Sequence, residues 1–512
     1  MLNYCSLAAL ALALAVMPWT KAPQLRAEDK KAPDKKADNK DGFTTPSGAL
    51  PMFGGTLGRN LANTTDKGVP TDFAVKKGKE KGIAWQTPLG NKAYGGPVIA
   101  GGRIFVGTNN EKPRDPTIKG DRGVVMCFNE KDGKFLWQIT HEKLPGGDVN
   151  DCPKEGVAST PAVDGEFVYY VSNRCELVCA GVEKGNIAWK LDMVKDLNVF
   201  PCQLANSSPL IVNDLVYVIT GHGVDIGTGK TPNEAPAIVA VDKKKGSVVW
   251  KYTIPAASIL RGQWSSPTGA VVDGKLQILL AGGDGYLYGL SGDKGELLWK
   301  FNCNPKAAKP YRPGGSGEQS FIIGVPVVVD GKAIIAVGQE PDDGQGVGHL
   351  WCVDITKKPV GKDKDLSPVD DDFDPASPKN KNSGLVWHFG GPAPKGADRD
   401  YNYGRSIQTV AVHEGIVYAS EIAGFLHAVD LKSGKKLWSY DLQDGTWCSP
   451  YYVDGKILIG TDAGDVYFVP AGRAEPKDVK KVEIGQPIKV PPVVANGVLY
   501  INAGTNLYAI KK

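Results

Sequence analysis

The sequence predicts an all-β chain, folded as an eight-bladed β-propeller of four-stranded antiparallel blades. A repeating unit is the first observation behind this prediction. Residues 263–302 contain four short strand-like runs, and Asp273-Gly274 between the first two runs is a strong hairpin signal. The second observation is the small size of the unit. Because one copy cannot bury its own faces, several copies have to stack side by side.

A tryptophan at a fixed place in the unit is the third observation. It stands on the fourth strand, ten residues after a small residue of the third strand such as Cys127, Cys179, Ala240, Gly289 or Ala428. The 63 glycines and 36 prolines of the chain supply the many turns that such a fold requires. We predict that the tryptophans are the structural anchors of the blades: Trp85, Trp137, Trp189, Trp250, Trp299, Trp387 and Trp438.

The two ends of the repeat array predict how the ring closes. Residues 83–88 hold a fourth strand without its three partners, and residues 491–510 hold three strands without a fourth. An N-terminal strand that pairs with the C-terminal blade removes both open edges. The propeller therefore occupies residues 81–512, with blades at 94–140, 156–192, 206–254, 264–302, 322–390, 406–442, 446–485, and 487–512 with 83–88.

The N-terminal residues predict export. Residues 1–27 resemble a signal peptide, because the apolar run at residues 6–19 is too short for a confident membrane span and is followed by Leu-Arg-Ala. The alternative is that this segment is retained as an anchor. Residues 28–80 then form a charged, disordered linker followed by an irregular segment. We expect a periplasmic or extracellular protein with no transmembrane segment in the mature chain. The formal charge of +4 gives no reason to expect nucleic acid.

Eight cysteines remain once residues 1–27 are removed, and two interpretations of them stay open. An even number in an exported chain is compatible with a disulfide, which could form among Cys152, Cys175 and Cys202. Cys127 and Cys179 instead occupy a position that is Ala or Gly in other units, where a buried thiol acts as a small hydrophobe.

The motif Gly-x-x-x-Trp after a Leu-Tyr-Gly-Leu-like strand, as at Gly295 to Trp299, resembles the repeat of the pyrroloquinoline-quinone (PQQ) type propellers. This family includes quinoprotein dehydrogenases with calcium and PQQ, and non-enzymatic propellers such as the outer-membrane assembly lipoprotein. The resemblance implies the fold and leaves both functions open. The Cys-Cys dipeptide of the alcohol-oxidising enzymes is not in this sequence, and the six histidines form no pair with metal-ligand spacing. We therefore favour the non-enzymatic branch, with no catalytic residue, metal or cofactor predicted.

Long loops on one face of the ring predict where a ligand binds. Connections between second and third strands and between blades share that face, and they include residues 108–122, 141–156, 193–206, 221–235, 302–321, 338–348 and 391–405. We call it the long-loop face. The acidic insertion, residues 355–384 of the fifth blade, is expected to hang as a flap on the opposite face. The candidate ligand-binding residues are His222, Asp225, Arg261, Trp264, Glu340, Arg399, Arg405 and Trp447.

Each candidate has a structural alternative. Trp264 and Trp447 occupy equivalent positions near the channel, where they could stack on a planar ligand or pack neighbouring strands. Arg399 and Arg405 could bind an anion or form ion pairs within loops. Our hypothesis is a monomeric binding or assembly scaffold of the bacterial cell envelope whose long-loop face engages an envelope protein. The alternative is a PQQ- and calcium-dependent oxidoreductase of alcohols or sugars.

Overall fold

The chain folds into eight antiparallel sheets arranged around a central channel, which confirms the predicted all-β, eight-bladed propeller. This architecture is seen in a computed structural model that describes residues 49–512. The predicted signal peptide at residues 1–27 and the charged stretch that follows it lie outside the described residues. Within residues 49–512, no helix has the length and apolar character that crossing a membrane requires.

Each blade contains four strands, of which the first lies next to the channel and the fourth at the outer edge. In that order, blades 1 to 4 consist of Val98–Ala100, Arg103–Asn109, Gly123–Asn129 and Phe135–His141; Ala162–Asp164, Phe167–Val171, Glu176–Gly181 and Ile187–Asp192; Leu210–Val212, Leu215–Ile219, Ile238–Asp242 and Val248–Tyr252; and Thr268–Val272, Lys275–Ala281, Tyr286–Ser291 and Leu297–Asn302.

Blades 5 to 8 consist of Val327–Val329, Lys332–Val337, His349–Asp354 and Leu385–Gly390; Ala411–His413, Ile416–Ser420, Phe425–Asp430 and Lys436–Asp441; Tyr451–Val453, Lys456–Gly460, Asp465–Pro470 and Lys480–Glu483; and Val493–Ala495, Val498–Ala503, Asn506–Ile510 and Ile83–Pro88. The described helices are short and lie in connections: Met193–Leu197 is α-helical, and Gly147–Val149, Ala256–Ser258, Pro341–Asp343 and Pro378–Asn380 are 3₁₀.

The N-terminal strand closes the ring as predicted. Ile83–Pro88 pairs antiparallel with Asn506–Ile510 and completes blade 8. Trp85 then donates its Nε1–H to the carbonyl oxygen of Glu130 in blade 1, at 3.1 Å. The last blade is therefore joined both to the N-terminus of the chain and to the first blade, so that the third strand of blade 8 is not left as an open edge.

Most fourth-strand tryptophans join one blade to the next. The indole N–H of Trp137 donates to Val182 O (3.0 Å), that of Trp189 to Lys243 O (3.1 Å), and that of Trp250 to Gly292 O (2.9 Å). The indole rests on the glycine in the third-to-fourth strand turn of the next blade. A Cβ built on Gly246 would be 2.7 Å from Trp189. The glycine of the Gly-x-x-x-Trp motif is thus the contact surface for the preceding blade.

Trp299 is the exception among these tryptophans, because blade 5 has the acidic insertion in place of that glycine turn. Its Nε1–H donates to Gln277 Oε1 of its own blade at 2.8 Å. Its cross-strand partner is Gly289, where an added Cβ would be 2.2 Å from the indole. The third-strand residue opposite Trp299 therefore has to be glycine, whereas blades 3 and 6 carry alanine there.

The prediction that the acidic insertion forms a flap on the opposite face was wrong. The insertion runs along the outer edge of blade 4, where Lys300 N donates to Lys364 O (2.9 Å) and Leu366 N donates to Lys300 O (2.8 Å). Further on, Asp371 accepts the backbone N–H of Lys306 in a connection of the long-loop face. An unpaired fourth strand exposes backbone donors and acceptors, and the insertion satisfies those of blade 4.

Residues 50–63 form a segment that we call the plug, because it crosses the channel and bonds to all eight blades. Its end, Ala62–Asn63, is a short strand parallel to the first strand of blade 7. The partners of the plug, from blade 1 to blade 8, are Ile99, Val163, Ser208 with Pro209, Pro267 with Gly269, Val328, Val412, Tyr452 and Val494. All of these lie on or beside first strands. The sequence predicted only an irregular segment here, since the plug has no periodic pattern of its own.

Candidate functional site

A cavity of about 330 Å³ lies in the channel, between the plug and the long-loop face. Two rings of side chains form its wall, one residue per blade in each. The outer ring is at the mouth and consists of Tyr94, Ala158, Asn206, Trp264, Ile323, Ile407, Trp447 and Lys489. The inner ring lies two residues further along each blade and consists of Gly96, Thr160, Ser208, Ser266, Val325, Thr409, Ser449 and Pro491.

The hydroxyl groups of the inner ring are linked from blade to blade. Thr160 Oγ1 accepts the backbone N–H of Gly96 (2.9 Å), Ser208 Oγ that of Thr160 (3.1 Å), and Ser266 Oγ that of Ser208 (2.9 Å). The same bond joins Val325 N to Thr409 Oγ1 (3.1 Å) and Thr409 N to Ser449 Oγ (3.0 Å). Each hydroxyl therefore satisfies a buried backbone donor of the preceding blade, which explains why serine or threonine recurs before the first strand.

The floor of the cavity is the plug, which contributes apolar side chains and one buried cation. Leu50, Met52, Phe53 and Leu61 line the cavity. Beneath them lies Arg59, which is fully buried and donates to the carbonyl oxygens of Phe53, Ser208, Pro209 and Pro267 at 2.9–3.0 Å. Burial lowers the pKa of Arg59 to about 9, so the guanidinium stays charged at neutral pH.

The charged groups at the mouth are arranged in pairs. Glu155 lies 2.5 Å from Lys92 Nζ, Lys489 Nζ lies 2.8 Å from Asp462, and Glu340 lies 2.9 Å from Arg261 Nε. Burial raises the pKa of Glu340 to about 7, although the Arg261 charge acts in the opposite direction.

Three of the predicted ligand-binding residues line the cavity: Trp264, Glu340 and Trp447. Trp264 is 8% exposed, packs edge-on against Phe321 and donates its Nε1–H to Cys202 O at 2.9 Å. Trp447 stacks on Tyr94, with ring centroids 5.9 Å apart, and Lys489 Nζ lies 4.2 Å from its ring centroid. Both tryptophans thus stand near the channel, where each already packs against neighbouring side chains.

Arg261, His222 and Asp225 lie in the surrounding loops. Arg261 is the ion-pair partner of Glu340 and also donates to Gln203 Oε1. His222 is fully buried, its Nδ1 accepts the backbone N–H of Phe200, and its Nε2 lies 3.0 Å from Asn233 O. Asp225 accepts the backbone N–H of Gly227 within its own loop. The side chains of His222 and Asp225 thus stabilise the conformations of the loops that contain them.

The two remaining candidates, Arg399 and Arg405, are bound within the protein. Arg399 forms a bidentate pair with the fully buried Glu421, at 2.8 and 2.6 Å, and Glu421 also contacts His427 Nε2 at 2.6 Å. Burial acts to raise the pKa of Glu421, but the bonds from His427 and Arg399 hold it below its usual value. Arg405 donates to the carbonyl oxygens of Asp343, Gly344 and Gly315, so it fastens two loops together.

The cysteines of the described residues are free thiols. Cys175 and Cys202 are buried, and burial raises the pKa of both. Cys152 lies at the cavity mouth, where its backbone N–H donates to Gln203 O. The disulfide proposed among these three residues is not formed in this structure.

A histidine pair escaped the sequence analysis because its members come from different strands. His349 Nδ1 and His388 Nε2 are 3.0 Å apart in blade 5, and the imidazole of His388 packs against both Trp351 and Phe373. Burial lowers the pKa of both histidines. Within residues 49–512, no group of three or more His, Cys, Asp or Glu side chains is placed to hold a metal ion. The pair is therefore part of the packing of blade 5.

The comparisons with known proteins agree with this architecture. A family model for PQQ-type repeats, described as outer membrane protein assembly factor BamB, matches residues 121–358. Outer membrane protein assembly factor BamB of Yersinia pestis is 21% identical over 228 residues, which are 42% of this chain and 45% of that protein. The chain thus matches about half the length of that relative.

Two further proteins resemble a larger part of the chain. Tetrathionate hydrolase of Acidithiobacillus ferrooxidans (strain ATCC 23270 / DSM 14882 / CIP 104768 / NCIMB 8455) is 22% identical over 391 residues, covering 68% of this chain and 70% of that enzyme. The crystal structure of BamB from Moraxella catarrhalis has a TM-score of 0.53 and 15% identity, covering 83% of this chain and 96% of that one. At this identity the likeness establishes the fold. With the repeat motif, the ring and the partial family match together, the chain resembles the PQQ-like β-propellers and shares their fold.

Proposed function

We propose that this protein is an exported scaffold of the bacterial cell envelope that binds an envelope protein through its long-loop face. The observation that carries the proposal is the difference between the two faces of the ring. One face consists mainly of tight turns such as Asp273-Gly274, with positive φ at both residues. The other carries the long connections and the mouth of the cavity.

The internal bonds of the long loops support this role. The ion pair between Arg399 and Glu421, and the bonds from Arg405 to three backbone carbonyls, hold the loops in place without a partner. Loops that are already ordered lose little conformational entropy on binding, and so more of the contact energy contributes to affinity. The similarity to proteins named as outer membrane assembly factors favours an envelope location and a protein partner.

Site-specific photocrosslinking tests the proposal. A photoreactive amino acid replaces one exposed lysine at a time, either Lys112 or Lys395 on the long-loop face, or Lys275 or Lys435 on the opposite face as matched controls. We expect a discrete crosslinked protein in the envelope fraction of the native host from the first pair of positions only. Equal crosslinking from both faces, or from the turn face alone, would contradict the proposal.

The oxidoreductase alternative needs carboxylate and amide oxygens that converge on calcium beside the quinone. The acids in the cavity wall do not offer such a set. Glu155 and Glu340 are paired with Lys92 and Arg261, and Asp342 is exposed at the rim. The residues present therefore do not fit calcium and PQQ. Calorimetric titration with PQQ, with and without calcium, tests this directly, and saturable calcium-dependent binding would revive the alternative.

Hydrolysis is a second candidate function, favoured by the match to tetrathionate hydrolase, which spans more of this chain than the match to BamB. Under this candidate the cavity would be the reaction site, because it is the concave site with polar groups at the centre of the ring. Incubation of the purified protein with tetrathionate, followed by measurement of the remaining substrate, tests it. Unchanged tetrathionate over a range of pH would remove this candidate.

A further inference from the structure

The inner ring of the cavity holds hydroxyl protons that the protein does not use. The oxygens of Thr160, Ser208, Ser266, Thr409 and Ser449 each accept a backbone N–H. Among the described residues, none of these hydroxyls donates its own proton to an acceptor. A hydroxyl whose oxygen already accepts a hydrogen bond is polarised and becomes a better donor. The cavity therefore presents a ring of O–H donors.

Three of these five donors lie next to one another on one side of the cavity. Thr160, Ser208 and Ser266 come from three consecutive blades, 2, 3 and 4. Asn206 stands in the outer ring above Ser208, and its side chain makes no hydrogen bond with any described residue. A carboxamide in this position can turn its NH₂ group towards a ligand. Blades 2 to 4 thus supply a cluster of hydrogen-bond donors.

The guanidinium of Arg59 places a positive charge beneath this side of the cavity, which favours an anionic ligand. Arg59 donates to the carbonyl oxygens of Ser208, Pro209 and Pro267, and so it lies directly under blades 3 and 4. Within residues 49–512, Arg59 forms no ion pair with a carboxylate. Glu155 and Glu340 in the wall are paired with cations of their own. Asp342, the remaining carboxylate of the lining, is exposed at the rim. The side of the cavity formed by blades 2 to 4 therefore lies above a cation that no carboxylate of residues 49–512 neutralises.

The other side of the cavity, formed by blades 5 to 8, is more apolar, although Thr409, Ser449 and Lys489 also line it. Blade 5 contributes Ile323 and Val325, and blade 8 contributes Val490, Pro491 and Val493. The apolar residues of the plug continue this surface across the floor. A ligand that satisfies both sides has an anionic, oxygen-rich end and a compact apolar body.

We propose that the central cavity is a binding site for a small amphipathic organic anion. The carboxylate of this anion accepts hydrogen bonds from the hydroxyl groups of blades 2 to 4, and its apolar body rests on the plug and on blades 5 and 8. The outer ring surrounds the entrance, and the plug closes the far end, so the ligand enters from the long-loop face. The mouth of the cavity opens on the long-loop face, so this site adds a small-molecule ligand to the protein partner proposed above, and the binding of each can be measured without the other.

The test compares three probes with one apolar body, which are 3-phenylpropanoate, 3-phenylpropanamide and 3-phenylpropylammonium, with sodium sulfate as a fourth. Binding is measured by calorimetry and by the change in the total tryptophan fluorescence, since Trp447 and Trp264 line the cavity. We expect the carboxylate to bind at least about tenfold more tightly than the amide, since hydrogen bonds to a charged group are the stronger ones. We expect no binding of the ammonium and weaker binding of sulfate. Equal affinities for the carboxylate and the ammonium, or no binding of any probe, would overturn the proposal, and equal affinity for sulfate would overturn the role of the apolar body.

Two variants locate the site without loss of the fold. A Cβ on Gly96 would meet only Thr160 Oγ1, at 3.7 Å, so the side chain of Gly96→Leu extends into the cavity. We expect this variant to keep its melting temperature and to lose 3-phenylpropanoate binding. Val325→Thr has nearly the same shape but adds a hydroxyl to the side on which the apolar body rests, and should bind 3-phenylpropanoate several-fold less tightly. Unchanged binding in the Gly96→Leu variant would place the anion outside the cavity.

Discussion

At the scale of single residues, the contact between a tryptophan and the glycine of the next blade sets the spacing of the ring. Gly246 has φ of +71°, and a Cβ there would meet the indole of Trp189. Gly274 has almost the same backbone conformation, with φ of +72°, but nothing lies within 4 Å of its Cβ position. An alanine at Gly274 would suffer only from the backbone conformation, whereas an alanine at Gly246 would also overlap the indole of Trp189. Comparison of the two substitutions therefore separates these two costs in stability.

We predict that Gly246→Ala destabilises the protein by about 2–4 kcal/mol, because the left-handed conformation and the overlap with Trp189 both add to the cost. The matched change Gly274→Ala should cost only the conformational part, about 1–2 kcal/mol. Urea denaturation measures both. Equal losses would show that the indole does not rest on Gly246.

The histidine pair of blade 5 predicts a particular pH dependence. Burial lowers the pKa of His349 and His388 below the usual value of 6.5. Between that value and the lowered one, the unfolded chain binds protons that the folded protein does not. The contribution of the two histidines to the free energy of unfolding is therefore complete above about pH 6.5. Below that pH the free energy of unfolding falls, by about 1.4 kcal/mol per pH unit for each such histidine.

His388→Phe should reduce the slope of this decline by the contribution of one histidine, because phenylalanine does not titrate and keeps an aromatic ring against Trp351 and Phe373. Denaturation curves between pH 6.5 and 4.5 measure the slope for both proteins. If the two slopes are the same, His388 is already protonated in the folded state.

At the scale of elements, the plug and the acidic insertion show that non-repeating segments complete the repeats. The side-chain amide of Asn60 in the plug pairs with Val412 of blade 6 as the backbone of a neighbouring strand would. It donates a hydrogen bond to Val412 O (2.8 Å) and accepts one from Val412 N (2.9 Å). The insertion plays a similar part on the outside of blade 4. Both segments satisfy backbone groups that the blades themselves leave unpaired.

Asn60→Ala should therefore destabilise the protein by about 1–3 kcal/mol, because it leaves a buried donor and acceptor of blade 6 without partners. The exposed Thr64, a short distance along the chain, provides the control Thr64→Ala, for which we expect a change within about 0.5 kcal/mol. Thermal and chemical denaturation of both variants measure the difference. A loss for Asn60→Ala no larger than that for Thr64→Ala would show that the plug contributes little to blade 6.

The elements that repeat could be predicted, and those that do not repeat could not. Strand periodicity, the turn at Asp273-Gly274 and the tryptophans recur, so that comparison within one sequence reveals the blades. The plug and the acidic insertion occur once each, and their positions follow from contacts with residues far away in the chain. The closing strand was predictable because its incomplete unit at Trp85 was visible beside the incomplete last unit.

The candidate site was predicted in part for the same reason. Trp264 and Trp447 were placed near the channel because their position in the repeat is equivalent. The hydroxyl ring carried a usable signal, since serine or threonine recurs two residues after that position, as in Thr160, Ser208 and Ser266. The ion pair of Arg399 with the buried Glu421 had no such signal, because no feature of the repeat relates those two residues.

At the scale of the whole molecule, stability depends on closure of the ring by Ile83–Pro88. Without this strand, Asn506–Ile510 would be an open edge, and blade 1 would lose its contact with Trp85. We predict that removal of residues 1–88 lowers the melting temperature further than removal of residues 1–81, because only the longer deletion removes the closing strand.

A synthetic peptide of residues 81–90 should restore part of the lost stability to the longer deletion, with a melting temperature that rises with peptide concentration, since a ligand of the folded state stabilises it by mass action. The same peptide with Trp85→Ala should restore less. Equal melting temperatures for the two deletions would contradict closure by this strand.

The plug also bears on how this propeller can evolve. Rings of identical repeats gain or lose units readily, because each unit interacts with its neighbours alone. Here one covalent segment carries donors and acceptors whose partners are spread over all eight blades. Duplication or loss of a single blade would move every later partner out of reach. The number of blades is thus fixed by the part of the chain that does not repeat.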